Sequence, residues 1–320
     1  MRLFGEIRSW SRTKLALNGF SLVAVVVLGV FTARHFAQSG WPLAHANPKL
    51  AVASGLLFLA AYALKAYGWQ RLFVPHERPG SLTLAAASGA ACVGGVALPG
   101  RMDDAIRLAI VRKWSGTSAG IGTMCLSLFM LGLVDTVALT PFASTAAATG
   151  DVPIALRIGL AIVAFAGLGA AAVVIGLPRL SRSGFGARFR ATRWLADRSI
   201  CIREASKATV FVALSWLVRA GGLVLLLAAL GFGLSLPLAL VFLCAAAASG
   251  CLPIAPAGAA TQAGAGAAVL VASGVSTTQA IGVAVAAQAL VILAGAAVIL
   301  FALAWRGGVR LRSRWQPVAA

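Results

Sequence analysis

Long apolar runs separated by short basic segments make up most of the chain. Apolar runs lie at 15–33, 50–67, 121–142, 154–177, 208–230, 237–252 and 278–304, and a piece broken by proline and glycine extends to Ser273. Most of these reach the roughly 18 residues a helix needs to cross a bilayer. The pattern predicts an all-α polytopic membrane protein of about eight transmembrane helices. One further segment, 81–98, is apolar but rich in Ala, Gly and Ser. If it crossed fully, the charged helix after Pro99 would emerge on the outer side, against the preference of basic loops for the inner side. A re-entrant or broken helix before Pro99 keeps both flanks inside and is the expected arrangement. Irregular backbone at that depth persists only where protein or a watery cavity covers it.

Composition agrees with this class: 60% of the residues are hydrophobic and mean hydropathy is +0.92. The net charge of +19 would suggest nucleic acid in a soluble protein. Here the charge lies between the spans, so it orients the chain and predicts anionic lipid headgroups as partners, with no nucleic acid. The segment 178–207 holds Arg179, Arg182, Arg188, Arg190, Arg193, Arg198, Arg203 and Lys207, and predicts a cytoplasmic loop with an interfacial helix near 189–202. The tail 305–320, with Arg306, Arg310, Arg312 and Arg314, is also placed inside, and so is the N-terminus. Segments 143–153 and 231–236 lack Lys and Arg and read as outer loops. Ala44-His45-Ala46 resembles a cleavage site but lies too far beyond the first run, which therefore reads as an uncleaved span. The expectation is a single integral domain, 1–320, of the cell membrane, with both termini cytoplasmic.

Against this uniform background two breaks stand out. Pro99 and Gly100 interrupt the chain just before Arg101, Asp103, Asp104, Arg107, Arg112 and Lys113; Pro253, Pro256 and Gly258 interrupt it again in the second half. Paired interruptions of this kind mark transporter binding sites, although proline and glycine are also common in membrane helices generally. Arg101 and Arg107 are candidates for a lipid phosphate, because a guanidinium fork donates paired hydrogen bonds. Asp104 is placed with them in the candidate headgroup-binding set and, with Asp103, stands at helical spacing to pair with Arg107. Asp135 lies roughly 20 Å along its span and Arg219 about 16 Å along another, at 1.5 Å per residue. A structural ion pair and a pair lining a substrate path both fit. Lys65, near the inner end of its run, reads as snorkelling to the interface. Cys92, Cys125, Cys201, Cys244 and Cys251 have no metal-ligand spacing. No catalytic constellation, metal site or cofactor motif is found, so an enzyme acting alone is not expected.

At the two breaks the chain resembles the flippase-like transmembrane domain of lysylphosphatidylglycerol synthases. That family reads roughly L-P-G-R-x-G-E-x-x-R where this chain has Leu98-Pro99-Gly100-Arg101-Met102-Asp103-Asp104-Ala105-Ile106-Arg107. Its next span tends to carry E-R-x-x-D; here Asp135 is kept and Leu131 and Gly132 replace the charged pair. Of the family's later P-x-x-P-G-G-x-G-x-x-E, Pro253, Pro256 and Gly258 remain, Ala260 and Ala263 replace Gly and Glu, and Gln288 stands for a last-span arginine. The resemblance implies a translocase moving a phospholipid or other anionic lipid between leaflets, and not a synthase. The substituted positions leave open a non-transporting scaffold, an accessory to a membrane or cytoplasmic enzyme of lipid modification or glycan assembly.

Overall fold

The computed structural model describes residues 41–97, 102–116, 119–149, 153–181, 201–250 and 258–315. Among the described residues are nine α-helices and no strand: α1 (Pro48–Arg71), α2 (Ser81–Ala97), α3 (Met102–Trp114), α4 (Ile121–Thr149), α5 (Ile154–Ser181), α6 (Ile202–Ala229), α7 (Leu236–Gly250), α8 (Gly258–Ala272) and α9 (Thr277–Trp315). Helices α1, α4, α5, α6 and α9 are long and apolar enough to cross a membrane. The run at 15–33 and the interfacial helix near 189–202 lie outside the described residues.

Helices α7 and α8 have 15 residues each. Such a helix rises about 22 Å, short of a hydrocarbon core of roughly 30 Å. They pack on one another, with Phe242 seated on Gly266, where two separate spans were expected. Helix α4 runs on past Pro141 to Thr149 and takes in part of the expected outer loop; neighbouring helices make a proline tolerable in membrane helices. Helix α9 continues through the basic tail to Trp315, since no proline follows Ala304 until Pro317.

Local chemistry explains the turns. Asn47 caps α1, its side chain accepting from the Lys49 amide at 3.1 Å, and Pro48 supplies a first residue already shaped for a helix. Gly231 (φ +89°) ends α6: its own amide reaches the Ala228 carbonyl, and that of Phe232 reaches Leu227. This paired closure requires a left-handed residue, which glycine adopts without strain.

The tightest seam joins α1 to α6. Ser54, Ala61 and Gly68, seven residues apart, are fully or nearly buried and let the two backbones approach. Ser54 donates to the Gly222 carbonyl at 2.7 Å. The Asn47 amide meets the Ala229 carbonyl at one end, and Arg71 meets Glu204 at the other, so the two helices are antiparallel.

The neighbour pattern repeats. If α1, α2, α3 and α4 are exchanged with α6, α7, α8 and α9, the major packing pairs that do not involve α5 map onto observed pairs, the α1–α6 pair onto itself. Thus α2 on α9 corresponds to α7 on α4, α1 on α9 to α6 on α4, and hairpin α2–α3 to hairpin α7–α8. Because α1 and α6 run in opposite senses, the two four-helix units are inverted relative to one another, with α5 linking them. Each unit consists of two long helices flanking a pair of short ones.

Candidate functional site

In the first unit the chain leaves the basic end as α2 and returns as α3. Gly89 of α2 crosses Gly295 of α9 so closely that a Cβ at Gly89 would stand 2.5 Å from the Gly295 carbonyl oxygen. Beyond this crossing Gly94 lies against Ile106 and Gly95 against Asp103, so α3 folds straight back along α2. The C-terminal end of α3 is fixed by Arg306, which donates to the Trp114 carbonyl at 2.8 Å and lies over its ring. Measured from Trp114, Arg107 stands about 10 Å and Asp103 about 16 Å along the returning arm, at 1.5 Å per residue. The charges of α3 therefore climb inward from the basic end. Arg107 is held at 2.7 Å by Asp104 and at 3.6 Å by Asp103, the i,i+3 and i,i+4 pairing expected from their spacing.

A second group of charges lies where α1, α4 and α6 meet. Lys65 donates to Asp135 at 2.6 Å, and both side chains are largely buried, at 17% and 21% exposure. The other Asp135 oxygen accepts from Trp216 Nε1 at 3.0 Å. Arg219 is not the partner of Asp135. Its guanidinium lies over the rings of Trp216, at 5.2 Å, and Tyr62, at 5.7 Å. No acceptor among the described residues meets it, and its Nε is buried and unpaired. Lys65 shares the Trp216 ring at 5.5 Å, so one indole supports two cations. Tyr62 extends this group to the hairpin: its hydroxyl and the Cys92 thiol both point at the Val291 carbonyl, at 3.4 and 4.0 Å.

Of the residues singled out from sequence, Arg107, Asp135 and Arg219 are thus brought towards the interior of the first inverted unit and its α6 neighbour, with Asp104 paired to Arg107 but half exposed. Gly258 opens α8, while Pro99, Gly100, Arg101, Pro253 and Pro256 lie outside the described residues. Sequence reasoning missed Lys65 as an interior group. A signal was available: Lys65 stands on the same helical face as Phe58, Tyr62 and Trp69, all buried, and opposite the exposed Val52, Leu56 and Tyr67.

This arrangement, in which a broken hairpin carries charges into a polytopic bundle, covers the same span of chain as one family model. The model for the lysylphosphatidylglycerol synthase TM region matches residues 17–299. The chain belongs to that family. No curated protein and no solved structure matches the chain. The lysylphosphatidylglycerol synthase TM region is a membrane domain associated with lipid modification or flipping, and its match here takes in both hairpins, the Lys65–Asp135 pair and Arg219. On α4 the apolar Leu131 and Gly132 fall one turn before Asp135, Leu131 buried, and the cations of this region come from α1, α3 and α6.

Proposed function

We propose that this protein is a lipid translocase that passes an anionic, phosphate-bearing headgroup through the inner-leaflet hairpin α2–α3. The observation that carries this reading is Arg219: a guanidinium among membrane-spanning helices, stacked on Tyr62 and Trp216, with no carboxylate of its own among the described residues. A lone cation at that depth is costly, and intramembrane arginines commonly serve a substrate path. A phosphate diester supplies the charge and the acceptors that Arg219 lacks. Lys65 would add a second cation from across the same indole, and Arg107 would hand the headgroup inward along α3. Asp103 and Asp104, at 38% and 47% exposure, hold Arg107 in orientation while leaving it displaceable. In this reading, the preference of basic loops for the inner side turns the open end of this hairpin towards the cytoplasm. No covalent step is involved; the protein would act by binding and rearrangement.

The test is transfer of fluorescent phosphatidylglycerol, phosphatidylethanolamine and phosphatidylcholine in proteoliposomes, read by quenching from outside. Wild type is expected to move the anionic lipid. Arg219→Gln should reduce the rate at least tenfold with the protein still monodisperse and helical, and Arg107→Ala should reduce it as well. Transport retained by a folded Arg219→Gln variant removes the residue from the path. Absence of transport of every lipid by folded wild type favours the scaffold reading.

A further inference from the structure

The basic end of the α1–α6 seam holds another group of charges, outside the path just described. Glu204 on α6 receives three cations from three places in the chain. Lys207 meets Oε1 at 2.8 Å, and Arg78 and Arg71 meet Oε2 at 3.0 and 3.4 Å. Arg71 ends α1, Arg78 follows the turn at Pro75–Glu77, and Lys207 lies one turn further along α6. Each arginine uses one of its donors on Glu204, and the Nε of each is buried without a partner among the described residues. Glu77, in the turn before Arg78, is a second carboxylate, its Oε2 buried without a partner among the described residues, so the three cations outnumber the two carboxylates by one.

Three features make this a built site. Both guanidiniums converge on a single oxygen, so their remaining donors lie within reach of one tetrahedral anion. Gln70, between Arg71 and the turn, donates to the Pro79 carbonyl at 2.8 Å and holds the Arg78 segment against α1. Between this group and Lys65 the two helices are in close contact: a Cβ on Gly68 would come within 2.8 Å of Val212 and 3.2 Å of the Ala208 carbonyl.

We propose that Arg71, Arg78 and Lys207 form a separate phosphate-binding site at the membrane surface. Its ligand is a phosphate carried either by a phospholipid of the adjoining leaflet or by a soluble phosphorylated molecule. Glu204 holds the three cations together in the empty state, and the phosphate takes up the donors that Glu204 leaves unused. Occupancy would tie the end of α1 to the start of α6 and so brace the pair on which both inverted units rest.

The experiment counts phosphatidic acid molecules retained by the full chain in detergent, by native mass spectrometry, against phosphatidylcholine as control. It is run in wild type and in Arg219→Gln, so that loss of an interior molecule is read separately. In both backgrounds the double substitution Arg71→Gln with Arg78→Gln should remove one retained phosphatidic acid and raise its apparent Kd at least tenfold. Displacement by millimolar inorganic phosphate would identify a free phosphate as a sufficient ligand; resistance to it would identify the lipid. Equal retention by the double variant and its parent overturns the proposal, as does equal retention of phosphatidylcholine by wild type. If the double variant does not fold, Lys207→Gln serves instead, since that side chain is 42% exposed and its contact lies within one helix. It should weaken binding severalfold, and an unchanged Kd overturns the proposal equally.

Discussion

Replacing Lys65 by methionine isolates the interaction at the centre of the interior group. The substitution keeps the apolar stem and removes the ammonium, which leaves Asp135 with Trp216 Nε1 as its remaining hydrogen-bond donor. Removing one partner of a buried pair costs about 3–5 kcal/mol, because the other charge stays buried. With the two side chains at 17% and 21% exposure, the expected loss lies near the lower end, about 3 kcal/mol. Asp135→Leu should cost a similar amount, since it orphans the ammonium and the indole N–H together. The double variant removes both charges and leaves only the indole unpaired, a cost of about 1–3 kcal/mol. The coupling in the cycle is therefore expected to exceed about 2 kcal/mol, well above the 0.3–0.5 kcal/mol within which independent sites add. Equilibrium unfolding in mixed micelles measures all four species, and the same cycle with Arg219→Met and Asp135→Leu should show much weaker coupling. Additive losses for Lys65 and Asp135, or stronger coupling of Asp135 to Arg219, would refute the pairing.

Two more outcomes follow from the packing. Gly89→Ala places a methyl group 2.5 Å from the Gly295 carbonyl oxygen and should cost about 1–3 kcal/mol by overpacking, whereas Gly132→Ala meets nothing within 4 Å and should be neutral or stabilising; the same unfolding assay compares them. In a cysteine-free background, Asp103→Cys and Gly264→Cys should react with a membrane-impermeant maleimide from opposite faces, and reaction from one face would contradict the inverted units.

The class of fold was readable because long apolar runs and basic punctuation are both direct consequences of the bilayer. The depth of each segment was not. The run at 237–252 and the piece after it are as apolar as any true span, and apolarity reports burial in something oily without saying whether lipid or protein surrounds it. Only the packing of Phe242 on Gly266 shows that α7 and α8 form a pair. The Arg107 pairing was legible because it is local, set by i,i+3 and i,i+4 spacing on one helix. The Lys65–Asp135 pair was not, because it joins residues 70 positions apart. Its depth alone made Arg219 as good a partner for Asp135, whereas in the fold the carboxylate goes to Lys65 and the guanidinium to the rings of Trp216 and Tyr62.

The two units share a plan but not a chemistry, and the difference bears on how a headgroup would travel. Hairpin α2–α3 carries Asp103, Asp104, Arg107, Arg112 and Lys113, whereas α7 and α8 contain no charged residue at all. In a scaffold of inverted units the hairpins face opposite leaflets, so the charged route leads in from one side only. Under the proposed function a headgroup entering along α3 would pass from Arg107 towards Lys65 and Arg219, then meet a second hairpin whose polar side chains, Ser249 on α7 and Thr261 and Gln262 on α8, are neutral. Neutral walls bind an anion weakly, which favours release over retention. Under the proposed function this asymmetry sets a direction of loading: uptake where cations are held ready by Asp103 and Asp104, discharge where nothing holds the phosphate. On the same reading, Ala263→Glu would place a repelling charge on the exit arm, and Gln288→Arg would place a competing trap on α9. Either change alone should slow transport, and the pair together should slow it less than the arginine alone, because each charge then neutralises the other.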